Sequence, residues 1–149
     1  MRSAVLGVDG SAHSRRAAAF LARLAPRPAA AVTIVTVVEP ARAPSIALLP
    51  GPMRGRLAAE AAALERSRMA AARRRAERAS RALVDAGWRV RVRVLAGVPL
   101  AELLRAVDEA RADLLALGAR GTTGLERLLL GSVAEGALAR SPVPVLIVK

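Results

Sequence analysis

The apolar positions of this chain follow two rhythms. Short continuous runs occur at AVLGV (4–8), AVTIVTVV (31–38) and DLLALG (113–118). Runs of that length, the second of them rich in β-branched residues, predict strands buried on both faces. Between them the apolar positions recur every three or four residues. In AHSRRAAAFLARLA (12–25), Ala17, Phe20, Leu21 and Leu24 share one face and Arg15, Arg16 and Arg23 lie away from it, which predicts a helix. Asp9-Gly10-Ser11 is the turn before that helix, with Ser11 placed to cap it, and Pro26 and Pro28 stop it. Residues 54–86, dominated by Ala, Arg, Glu and Leu, predict one long helix that Gly87 ends. A helix near 100–111 starts behind Pro99 and turns Leu100, Leu103, Leu104 and Val107 inward; another covers 131–141.

Two further strands have their own signatures. WRVRVRVLAG (88–97) alternates strictly, with Val90, Val92 and Val94 on one side and Arg89, Arg91 and Arg93 on the other. That is a half-exposed strand, as at the edge of a sheet. PVPVLIVK (142–149) is a final strand whose start is marked by Pro142 and Pro144. EPARAPSIALLPGP (39–52), with prolines at 40, 44, 50 and 52, reads as a long loop.

The resulting order, β-α-β-α-β-α-β-α-β, implies a single α/β domain over 1–149. Its sheet is a doubly wound, five-stranded parallel one of order 3-2-1-4-5, with right-handed crossovers and helices on both faces, Rossmann-like. Such sheets bind ligands at the carboxyl ends of their strands, where strand order reverses. The segments expected there are Gly7-Val8-Asp9, Val37-Val38-Glu39 and the stretch from Gly118 onward, so that Asp9 and Gly118 face each other across a crevice.

Composition narrows the chemistry. No cysteine is present, which excludes disulfides and thiolate metal sites, and one histidine, His13, argues against a His-based metal centre. Phe20 and Trp88 are the only aromatic residues, which leaves few platforms for stacking bases. The net charge is +12, and Lys149 is the only lysine, so the P-loop lysine is missing. An arginine surface of this kind attracts anions, nucleic acid or phosphorylated ligands; it is also what the coding bias of a GC-rich genome produces. No apolar run is long enough for a signal-peptide core or a membrane span, and a cytoplasmic protein is expected.

The densest chemical signal is GARGTTGLERLLLGS (118–132). Glycine weakens helices and strands by roughly 0.5–1 kcal/mol, so its repetition implies a need for bare backbone. Gly118 and Gly121 open a loop whose amides can approach an anion. Gly131 and Ser132 begin a helix, whose first N–H groups are free donors at a partly positive terminus. Together they can cradle a phosphate, with Ser132 adding a hydroxyl. Asp9 suits a ribose hydroxyl, a base amine or a magnesium ion instead. The alternative is that these glycines only turn the chain and permit close packing.

With these residues in view, the chain resembles the universal stress protein family along essentially its whole length. VLGVDGS (5–11), GVP (97–99), the G-x2-G-x9-G-[ST] spacing of 118–132 and the closing PVLIV (144–148) carry the resemblance. It implies the ATP-binding branch of that family. Asp9 and Val37 then meet adenine or ribose, Gly7 and Val8 form the pocket wall, and Gly118, Gly121, Gly131, Ser132 and Val133 surround ribose and phosphates. It also implies a homodimer through the last strand, and ATP with any magnesium carried on its phosphates.

Three functions compete at this level. The first is a non-catalytic adenine-nucleotide sensor in stress physiology. The second is a slow metal-dependent ATPase or nucleotide-transfer enzyme that uses Asp9 with Arg120 or Arg127. The third, a nucleic-acid binder, has no recognition motif. The arginines of the long helix and third strand, Arg68 and Arg75 among them, are assigned to a surface for an unidentified protein partner.

Overall fold

The computed structural model describes residues 2–24, 28–40, 50–122 and 130–149. Nine elements alternate: β1 (Ser3–Gly7), α1 (Ala12–Arg23), β2 (Ala31–Val38), α2 (Gly51–Asp85), β3 (Arg89–Ala96), α3 (Pro99–Glu109), β4 (Leu114–Gly118), α4 (Ser132–Arg140) and β5 (Val145–Val148). The five strands form one parallel sheet of order β3-β2-β1-β4-β5, as the alternation predicts.

Both faces of the central strands are covered, which explains their unbroken apolar runs. On one face Leu6, Val32 and Ile34 pack with Ala17 and Leu21 of α1 and Ala76 and Leu83 of α2. On the other, Val5, Val35 and Leu115 pack with Leu100, Leu103 and Val107 of α3 and Ala137 of α4. Alternate residues of a strand thus feed two separate cores. β3 lies at one edge. Val90 and Val92 join the α1/α2 core, while Arg89 and Arg91 are exposed and Arg93 pairs with Glu109 of α3.

Two boundaries differ from expectation. α2 begins at Gly51, three residues earlier than the composition suggested, because Pro52 sits in its first turn, where a missing N–H costs nothing and a fixed φ helps. Residues 41–49 of the proline-rich segment lie outside the described residues. β5 is shorter than the apolar run that encodes it. The Pro142-to-Pro144 stretch precedes it, held by the Ser141 hydroxyl, which donates to the Val143 carbonyl at 2.8 Å. At the other extreme, every residue from 51 to 64 in α2 is exposed, so this helix of about 50 Å outruns the sheet.

The sheet is tied at its amino end by Asp113. Its carboxylate accepts the backbone N–H groups of Arg2 and Ser3, and its own N–H donates to the Ser3 carbonyl. The Arg2 amide first, then the Ser3 amide, hold the carboxyl below the usual range, with burial opposing. A carboxyl whose folded pKa is depressed adds stability above its unfolded pKa of about 3.9, and that contribution disappears as pH falls through the folded value. Thermal melts of Asp113→Asn and the parent are therefore expected to differ at pH 7 and to converge as pH falls through the depressed folded value. A constant gap across pH would show that the charge is irrelevant.

Candidate functional site

The β1–α1 turn is built by two side chains. Asp9 Oδ1 accepts the Ser11 N–H at 2.9 Å. Ser11 Oγ accepts the Ser14 N–H at 3.0 Å, which caps α1 as expected. The same hydroxyl donates to the Arg120 carbonyl at 3.1 Å and so joins this turn to the loop after β4. That loop continues with Ala119, whose N–H donates to Val148 and whose carbonyl accepts the Gly131 N–H at 2.8 Å. The start of α4 is thereby pinned against the end of β4.

These elements enclose a cleft of ≈ 520 Å³ at the carboxyl ends of β1, β2 and β4, where the strand order reverses. That volume is ordinary for a small-molecule site. Gly7, Val8, Asp9, Val37, Gly118, Gly121, Gly131, Ser132 and Val133 all line it. They come from β1, β2, the loop after β4 and the start of α4, and only the fold brings them together. Gly131 caps α4 with no side-chain hydrogen bond, so the Ser132, Val133 and Ala134 N–H groups at the cleft have no intrahelical acceptor. They are a ready anion site.

The glycines divide by cause. A Cβ on Gly118 would lie 2.5 Å from Ser14 N and 2.6 Å from the His13 carbonyl carbon. Its bareness therefore serves the seating of α1 on β4, although Gly118 also lines the cleft that Asp9 lines. A Cβ on Gly121 would stand 3.0 Å from Asp9 Oδ2. A Cβ on Gly131 would meet Arg120 Cα at 3.3 Å and the Gly121 N at 3.5 Å. Packing thus accounts for the bareness of Gly118, while Gly121 and Gly131 line the cleft close to Asp9 and Arg120.

Two side chains assigned from sequence to an outward surface turn instead to the cleft. Arg68 and Arg75 line it, with Ala71 between them. Their signal was present: positions 68, 71 and 75 share one helical face, which runs beside the buried Ala72 and Ala76. Arg68 is engaged, donating to the Glu39 carbonyl at 2.8 Å and pairing with Glu65 at 3.2 Å. Val35, Leu103 and Leu117 give the cleft an apolar floor. His13 stands at the start of α1 beside Gly118. Burial, then the Arg16 and Arg120 charges, lower its pKa from the ordinary value, and Asp9 opposes them. Arg127 lies outside the described residues. Among the described residues no three His, Cys, Asp or Glu side chains gather to hold a metal ion. None of the described helices is long and apolar enough to cross a membrane.

A doubly wound parallel sheet whose strand order reverses beside a glycine-lined cleft defines a Rossmann-like α/β protein. The model of the universal stress protein family matches residues 1–149, and the chain belongs to that family of stress-response proteins. Universal stress protein MJ0531 of Methanocaldococcus jannaschii is 38% identical over 73 residues, which are 49% of this chain and 43% of that one. A universal stress protein of Mycolicibacterium smegmatis is 44% identical over 68 residues, 45% of this chain and 52% of that one. The matched stretch spans about half the length of each of these relatives. Among solved structures, that of MJ0577 superposes with a TM-score of 0.82 at 22% identity, covering 99% of this chain and 95% of that one. A universal stress protein in complex with cAMP gives 0.60 at 29% identity, covering 99% and 95%.

Proposed function

We propose that the cleft binds an adenine nucleotide, ATP in particular, and that the chain is a non-catalytic sensor whose state the nucleotide sets. The observation that carries this reading is the convergence, on one cleft, of the spaced glycines, Asp9 and the uncapped start of α4. Base and ribose go toward Val37 and Asp9, and phosphates toward Gly121, Gly131 and Ser132. Relatives support the ligand class. One solved family member is in complex with cAMP, and one from Archaeoglobus fulgidus, 19% identical, is in complex with dAMP. Magnesium, where present, arrives on the phosphates, since among the described residues Asp9 and Glu39 are the only carboxylates that line the cleft.

The protein acts as a homodimer through β5, whose Val145–Val148 edge is only half-buried. The exposed arginines of α2 and β3, such as Arg74, Arg78, Arg89 and Arg91, offer an acidic protein a surface apart from the cleft. Calorimetry with ATP, ADP, AMP and GTP tests the reading, with sedimentation of the same samples. The expected result is saturable heat with the adenine nucleotides, less with GTP, from a dimer. Absence of heat with all four at millimolar ligand would remove the nucleotide reading. Turnover of excess ATP that is lost in Asp9→Ala would replace the sensor by a slow ATPase.

A further inference from the structure

Arg75 carries a donor that the packing leaves unused. Its Nε lies out of reach of water and has no hydrogen-bond partner. A desolvated guanidinium N–H without an acceptor is costly, and in a residue that lines a cleft it calls for an explanation beyond packing, with the terminal Nη atoms left to meet what enters the cleft. Arg75 has no carboxylate partner among the described ion pairs, whereas Arg56, Arg68 and Arg73 of the same helix each have one.

The route of its stem is also built. A Cβ on Gly10 would lie 2.5 Å from Arg75 Cδ and 3.4 Å from Nε, and Gly10 has φ +90°. Only glycine both takes that turn cheaply and lets the arginine stem pass. Gly10 is followed by Ser11, whose hydroxyl bonds the Arg120 carbonyl in the loop leading to Gly121. Arg75 therefore enters the cleft beside the wall that ends in the start of α4. No aromatic ring lines this cleft, and among the described residues the cations that line it are Arg68, Arg75 and Arg120.

We propose that Arg75 is a ligand-binding residue that donates to a phosphoryl oxygen of the cleft's occupant and makes the site select nucleotides over nucleosides. The inference rests on the nucleotide reading above. Its chemistry is the fit of a planar guanidinium to a phosphate, which a lysine does not reproduce. α2 then contributes to ligand capture as well as to the core.

The test is calorimetry of the full chain with ATP, AMP and adenosine, on the parent, Arg75→Met and Arg75→Lys. Methionine keeps the stem over Gly10 and removes the donors. Arg75→Met is expected to weaken ATP and AMP at least tenfold and leave adenosine within about twofold. Arg75→Lys should restore part of that loss, most at low salt. Equal loss for adenosine and the nucleotides would reduce Arg75 to packing, and unchanged nucleotide affinity would overturn the proposal; in either case the cleft remains a nucleotide site. A parent protein that binds neither ATP nor AMP overturns both readings.

Discussion

Gly118→Ala is expected to destabilise the protein by roughly 3 kcal/mol or more, the upper part of the usual overpacking range. The added carbon would sit 2.5 Å from one backbone atom of α1 and 2.6 Å from another, so no rotamer change can relieve it. Either α1 lifts from β4 or β4 bends, and both moves disturb the core at Ala17 and Leu21. Denaturant unfolding measures the loss. Gly55→Ala is the matched control, because nothing lies within 4 Å of its new carbon. That change, in an exposed stretch of helix, should stabilise by about 0.5–1 kcal/mol. Equal effects at the two positions would mean that α1 does not seat as described.

Gly131→Val is expected to abolish useful ATP affinity while leaving the fold nearly intact. Its β-carbon already contacts Arg120 Cα at 3.3 Å and the Ala119 carbonyl at 3.5 Å, and two further methyl groups must displace the loop at Gly121 or fill the approach to the α4 amides. A loss on the order of 100-fold, roughly 2.7 kcal/mol of binding, is expected by calorimetry. ATP affinity within threefold of the parent would show that this helix start does not hold the phosphates.

Much of this was legible in the chain before any coordinate. The strict Val/Arg alternation of 88–97 placed β3 at an edge, and the unbroken runs at 4–8 and 113–118 placed β1 and β4 inside. Period and continuity report directly on how many faces of a strand are covered, which is why they suffice. The residues lining the cleft were legible because reversal of strand order fixes where loops converge. The cause of Gly118's bareness was hidden, since a neighbour 104 positions away in sequence, the Ser14 amide, creates it. Arg75 is legible only in part. Within the run Arg73, Arg74 and Arg75 the helical period puts 75 on the face of 68 and 71, beside the buried Ala72 and Ala76, but its path past Gly10, on another element, has no signal in the local sequence. The start of α2 is not legible because a proline marks a loop and a first helical turn alike, and Pro52 serves as the latter.

The two rims of the sheet are chemically unlike. β3 presents Arg89 and Arg91, while β5 presents Val145 to Val148 with no charge among them. A second β3 laid against the first would set cation against cation, so pairing of like rims is favoured at β5. Association between copies by strand pairing therefore terminates after one step: two molecules can meet rim to rim, and the pair then shows only arginine-guarded rims to a third. In the dimer proposed above, pairing of like rims through β5 closes at two molecules and leaves arginine-bearing rims on the outside.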